Sequence, residues 1–212
     1  MRVVSLILAR GGSKGIPKKN IYLINGRPLI DYTIKASLSS NTQETYVSTD
    51  CNEIKKQSLD SGAKVINRPF SLSTDFAKSD DSLIHFSNII DFDVLVFIQP
   101  TSPLINSSDI NKGIAMIGND CDSVFSAHED HWVPRWTKNL NPLNWDIKNR
   151  PMRQEVEHTY VENGAFYITK KENLISSKLR YSGLIKPCLI SYQRSFQIDT
   201  LDDIEIVSKI LK

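Results

Sequence analysis

Between Leu8 and Asn20 the chain reads LARGGSKGIPKKN, which sets Gly11, Gly12 and Gly15 among the four cations Arg10, Lys14, Lys18 and Lys19. Glycines adopt backbone conformations that other residues avoid and, having no side chain, let amide groups approach an anion closely. That is the composition of a phosphate cradle, and also of a basic solvated turn. The spacing is not that of a P-loop, because Ile16 stands where GxxxxGK[ST] needs its second glycine, and no GxGxxG occurs in the chain.

Other residues able to do chemistry are scattered. Gln99 ends an apolar run and is followed by Pro100-Thr101-Ser102-Pro103, a rigid turn offering two hydroxyls. Arg68 precedes a proline, and Ser79 begins a stretch with Asp80 and Ser82 that reads as a helix start. Taken alone, Gln99 could simply satisfy backbone at a sheet edge. The four histidines (His85, His128, His131 and His158) form no HExxH zinc motif, and no Ser-His-Asp or Cys-His spacing is readable.

The elements that must position these residues alternate. Arg2–Ala9 is β-branched and almost wholly apolar, as suits a strand covered on both faces, and Asp93–Gln99 is a second such strand. Helices are expected over 27–40, 52–62, about 78–90, 108–118 and about 201–211, with shorter strands over 45–49, 63–67, 122–127, 164–170 and 188–192. Pro28 is expected in the first turn of its helix. Such alternation predicts a three-layer α/β/α sandwich with a mostly parallel sheet, in which ligands sit at the carboxyl ends of strands. The basic loop, Ser48–Asp50 and Gln99–Pro103 all follow strands. From about 131 to 162 the alternation fails in a segment holding all three tryptophans and three prolines, which predicts an inserted lobe on a single domain over 1–212.

Composition excludes several classes. With 26 basic and 24 acidic residues the net charge is +2, too balanced for a general nucleic-acid binder. No apolar stretch approaches the length of a bilayer span, and Val3–Ala9 is too short and too poorly flanked for a signal peptide, so no membrane partner is expected. Cys51, Cys121 and Cys188 are far apart and odd in number, so reduced thiols and a cytoplasmic location are expected.

Six segments in order carry a resemblance: LARGGSKGIPKKN, VSTD (47–50), RPFSLSTDFAKSDDS (68–82), LVFIQPTSPL (95–104), RQEVEHTYVENGAFYI (153–168) and QIDTLDD (197–203). Together they resemble the acylneuraminate cytidylyltransferases, the CMP-sialic acid synthetase family that includes CMP-legionaminic acid synthetases, over nearly the whole chain. Kdo cytidylyltransferases carry an R-L-P-x-K version of the first loop, so Gly15-Ile16-Pro17 falls with the sialic-acid branch.

The resemblance implies a Rossmann-like nucleotide-diphospho-sugar transferase fold of GT-A type and transfer of CMP from CTP to the anomeric hydroxyl of a nonulosonic acid. Arg10 and Lys19 would hold triphosphate oxygens, with Lys14 in the same role. Backbone amides of Gly11, Gly12 and Ser13 would bind phosphate, and Asn20, Arg68 and Ser79 would fix the nucleotide; Lys18 would face solvent. Gln99 would stand at the junction of sugar and nucleotide. Arg153, with Arg135 behind it, would face the sugar carboxylate, for which a forked guanidinium is suited.

The family's Asp-x-Asp pair for Mg²⁺ (or Mn²⁺) reads Gln197-Ile198-Asp199 here, leaving Asp199 as the expected metal ligand beside the catalytic Arg10 and Lys19. Mg²⁺ often takes one or two carboxylates plus phosphates. Where many relatives place an arginine before PNG, this chain has Val161-Glu162, which leaves the sugar open between N-acetylneuraminate and a legionaminic-type or other bacterial nonulosonate. The alternatives are another acid sugar such as Kdo, or a catalytically weakened nucleotide-binding homologue. The resemblance also implies a homodimer joined through the lobe.

Overall fold

The computed structural model describes residues 1–211. In chain order the elements are β1 (Val3–Leu8), β2 (Leu23–Ile24), β3 (Arg27–Pro28), α1 (Leu29–Leu38), β4 (Glu44–Thr49), α2 (Asn52–Asp60), β5 (Lys64–Asn67), α3 (Ser79–Ser87), β6 (Val94–Ile98), α4 (Ser107–Met116), β7 (Ser123–Glu129), β8 (Arg135–Trp136), β9 (Pro142–Leu143), β10 (Tyr160–Lys170), α5 (Lys171–Ser177), β11 (Ile185–Leu189) and α6 (Leu201–Ile210). Seven strands form one sheet in the order β11-β7-β10-β6-β1-β4-β5. Only β10 runs antiparallel to its neighbours, β6 and β7. The expected α/β/α sandwich is what forms.

Alternation along the central strands explains the three layers. Val3 and Ile7 of β1, with Val94, Val96 and Ile98 of β6, point to one face and pack on Ile30, Ile34, Ile54 and Ile110 from α1, α2 and α4. Val4 and Leu6, with Leu95 and Phe97, point to the other and meet Leu83, Phe86 and Leu174 from α3 and α5. A smaller cluster of Ile16, Leu29, Leu104, Ile198 and Val207 docks α6 beside the basic loop. Central strands buried on both faces read as unbroken apolar runs for this reason.

Three expectations about boundaries change. The helix over 27–40 starts only at Leu29, because Asn25 and Gly26 (φ 48° and 77°) form an Asn-Gly turn that pairs Arg27–Pro28 with Leu23–Ile24. Pro28 is therefore the extended residue before the helix and not part of its first turn. The strand expected from Gly164 begins at Tyr160, where residues 160–162 pair with 127–129, so the irregular lobe ends earlier than 162. Strand 188–192 lies instead over Ile185–Leu189, and Tyr192–Ser195 form a 3-10 turn.

Candidate functional site

The sheet order places β6, β1 and β4 side by side and parallel, so the segments leaving their carboxyl ends converge. A cleft of about 190 Å³ opens there, walled by Arg10, Ser13, Lys14, Lys19, Asn20, Ser79 and Gln99 over the ring of Phe97. A second hollow of about 290 Å³ adjoins it, shares Arg10 and Ser79, and adds Arg68 and Asp75. Residues from three separate stretches of sequence, 8–20, 68–82 and 97–101, thus meet at one sheet edge.

The four cations of the loop have different surroundings. Arg10 donates to the Thr74 carbonyl at 2.8 Å and pairs with Asp75 at 2.9 Å. Lys14 reaches the other oxygen of the same carboxylate at 2.9 Å. Hydrogen bonding from Lys14 outweighs the desolvation of Asp75 and holds its carboxyl below the ordinary range. Lys19, only 16% exposed, donates to Asp199 Oδ1 at 2.8 Å and to the Ile198 carbonyl at 3.0 Å. Lys18 turns away to Glu53 at 2.8 Å and is well exposed.

The glycines differ as well. A Cβ on Gly15 would lie 2.6 Å from the Asp199 carbonyl oxygen, and one on Gly11 would lie 2.9 Å from Cys51 Cβ, whereas Gly12 meets nothing within 4 Å. The Gly11 amide donates to Asp50 Oδ1 at 2.9 Å, and Gly11 lines a separate hollow with Lys18 and Cys51. The amide expected to meet phosphate thus has a carboxylate partner here. Asn20 is buried and donates to the Arg10 carbonyl at 2.9 Å, so it braces the loop while lining the cleft.

Arg68 is buried, donating through Nη2 to the Ser48 carbonyl at 2.6 Å while Nε has no protein partner. Burial pushes its guanidinium down to about 10, opposed by the charge of Asp50. Ser48 Oγ, Thr101 Oγ1 and Ser102 Oγ are also buried without partners. An unpaired buried donor or acceptor costs about 1–3 kcal/mol, so a group of them along one sheet edge marks a place where water or a polar ligand completes the hydrogen bonding.

Asp199 stands across from the loop at the end of a strap, residues 196–200. One carboxylate oxygen engages Lys19, and the side chain is 69% exposed. Among the described residues no three His, Cys, Asp or Glu side chains converge on a metal position. A lone, accessible carboxylate beside a polyanion cradle nonetheless fits a cation that takes one protein ligand and completes its shell with phosphates and water. Gln197, two residues earlier, donates through its amide nitrogen to the Asn163 carbonyl. Asp203, four residues after Asp199, completes a capping box with Thr200 at the start of α6 and accepts the Asp199 amide.

Glu162 accepts a hydrogen bond from Tyr167 at 2.5 Å, and Tyr167 stacks on Phe97, the floor of the cleft. Burial, then the Glu162 contact, pushes the Tyr167 hydroxyl far above its ordinary range. Arg180 lies over the Tyr167 ring and grips Asp80 with two nitrogens, bracing the start of α3 where Ser79 projects. Arg135 lines a different hollow, with Trp132, Leu143 and Val161, and Arg153 sits on a 3-10 turn outside the cleft wall. Within one chain, neither predicted carboxylate ligand reaches the cleft.

Sequence reasoning missed Asp75, Asn163 and the role of Gln197. Asp75 carried a signal, since an acid four residues before the helix start at Ser79 lies outside its first turn, but nothing in the sequence shows which loop it faces.

Comparison with known proteins places these features in a family. Residues 4–203 match the family model described as Cytidylyltransferase. The chain is 38% identical over 213 residues to N-acylneuraminate cytidylyltransferase A of Danio rerio, covering 96% of this chain and 49% of that protein. It is 32% identical to the CMP-N,N'-diacetyllegionaminic acid synthase of Legionella pneumophila, covering 100% of this chain and 97% of that one. The chain spans about half the length of the first curated relatives it matches. A solved structure of CMP:2-keto-3-deoxy-manno-octonic acid synthetase complexed with CTP superposes with a TM-score of 0.76 over 100% of this chain and 98% of that one, at 18% identity.

Proposed function

The chain belongs to the cytidylyltransferase family, and from that premise we propose that it transfers CMP from CTP to the anomeric hydroxyl of a nonulosonic acid of sialic or legionaminic type. The bond formed joins the anomeric oxygen to the α-phosphorus, the bond to the β-phosphate bridge breaks, and pyrophosphate leaves. The observation that carries the reading is the convergence of Arg10, Lys14 and Lys19 on a cleft whose edge holds buried, unpartnered polar groups.

Transfers at phosphorus depend on positioning and charge neutralisation more than on covalent help. Arg10 and Lys14 exchange the Asp75 carboxylate for phosphate oxygens. Lys19, held in place by the Ile198 carbonyl, stabilises charge on the departing pyrophosphate. Arg68 Nε and the Ser79 hydroxyl bind base and ribose in the adjoining hollow, and Gln99 orients the sugar at the cleft end. Mg²⁺ or Mn²⁺ held by Asp199 and the substrate phosphates supplies further charge neutralisation when bound.

The enzyme works as a cytoplasmic homodimer, with Arg135 and Arg153 of the lobe offered to the partner subunit's cleft. Their positions away from the cleft of their own chain support that arrangement. Among the described residues no helix is long and apolar enough to cross a membrane. The test is a matrix of four nucleoside triphosphates against sialic, legionaminic and Kdo acids, read by pyrophosphate release with and without Mg²⁺. CTP with a nine-carbon acid is the expected productive pair; turnover confined to Kdo would transfer the reading to that sugar.

A further inference from the structure

The strap that carries Asp199 has little regular structure of its own, yet it must hold a carboxylate and a carbonyl against Lys19. Its anchors are specific. The Ile198 side chain is fully buried in the cluster under the loop, and its amide donates to the Thr101 carbonyl at 2.8 Å. On the opposite side the strap meets the irregular stretch of β10, where the register with β7 shifts between Glu162 and Tyr167. There Gly164 adopts φ 68°, and a Cβ on it would lie 2.6 Å from Gln197 Nε2.

Asn163 organises this junction. Its side-chain oxygen accepts from Ser126 Oγ at 2.6 Å and from the Ala165 amide at 3.1 Å, so its nitrogen faces the strap and donates to Ser195 Oγ at 3.0 Å. Its backbone carbonyl accepts the Gln197 amide nitrogen. A carbonyl can only accept, so the residue facing it must be a donor, and a carboxylate at position 197 would be repelled. The neutral amide at this position thus has a structural explanation in the chain itself.

We propose that Gln197 and Asn163 are positioning residues for the transfer reaction: their hydrogen bonds fasten the strap to the bulged strand and so fix Asp199 and the Ile198 carbonyl against Lys19. The assignment deepens the reading of the cleft as a nucleotidyl-transfer site and rests on it. Three measurements on the full chain test it, using Gln197→Met, which keeps length and removes the donor, and Ser195→Ala, which removes the second tie from a half-buried position.

Hydrogen exchange at the amides of residues 198–200 should quicken at least tenfold in Gln197→Met and less in Ser195→Ala, with exchange in β6 unchanged. Mn²⁺ affinity in the presence of CTP, read by electron paramagnetic resonance, should fall about fivefold or more, while CTP binding without metal stays within twofold. Turnover should fall about tenfold with KM for CTP within threefold. Unchanged exchange and unchanged Mn²⁺ affinity in Gln197→Met would overturn the assignment, as would losses matched by a general rise in exchange across the sheet. If the unaltered chain makes no CMP-sugar, the reading of the cleft fails, and the exchange measurement still decides whether the two amides fix the strap.

Discussion

Lys19 and Asp75 define the site at the scale of single residues. Lys19 is the least exposed ion-paired cation of the basic loop and the one tied to the strap that carries Asp199. Replacing it with alanine removes a fixed charge at the point where negative charge develops, so Lys19→Ala should lower turnover on the order of 10²-fold, measured by pyrophosphate release with the unfolding midpoint as control. Asp75 has the opposite character, because its carboxylate occupies Arg10 and Lys14 when no phosphate is there. Exposed ion pairs are weak and screened by salt, so Asp75→Asn should tighten CTP binding by about a few fold at low salt in a calorimetric titration. The sequence showed which side chains could meet an anion, because loop composition and position after a strand are local properties. It did not show their counter-ions, which come from stretches 35 to 180 residues away.

At the scale of elements, the loop, the strap and the paired β1–β4 edge set what the site can tolerate. Gly15 packs directly on the Asp199 carbonyl, whereas Gly12 opens to free space. Gly15→Ala should therefore cost about 1–3 kcal/mol through enforced displacement, and Gly12→Ala should stay within about 0.5 kcal/mol, both read by urea unfolding. Glu44 at the start of β4 is drawn from its ordinary 4.5 to about 2 by hydrogen bonds from Lys64 and then Arg2. A carboxyl depressed in the folded state stabilises fully above its unfolded pKa and loses that contribution as pH falls towards 2. Glu44→Gln should thus cost about 1 kcal/mol at pH 7 and progressively less below pH 4.5 in the same urea measurement. Apolar runs announced β1 and β6, since strands covered on both faces have no polar side. The Asn25-Gly26 pair carried a turn signal, but two-residue strands beside it leave no periodicity to place the hairpin, and the early start of β10 was not legible because a polar, bulged strand leaves none either.

For the whole molecule, the order of strands decides the function. Bringing β6 and β1 together joins the basic loop and the Gln99 turn into one cleft, and the antiparallel β10 sets Tyr167, held by Glu162, against the Phe97 floor of that cleft. The lobe carries Arg135 and Arg153 away from that cleft, so a sugar carboxylate bound by them requires a second subunit. Sedimentation at micromolar concentration should give a dimer, and a monomer that turns over at full rate would remove both arginines from the reaction. The central claim, that an anomeric oxygen attacks the α-phosphorus of CTP, is tested most directly by phosphorus NMR of CTP mixed with a sialic or legionaminic acid, Mg²⁺ and the protein. A CMP-sugar phosphodiester signal rising in equal amount with pyrophosphate is the predicted result; free CMP rising with pyrophosphate, or CTP left intact with every nonulosonic acid, would contradict it.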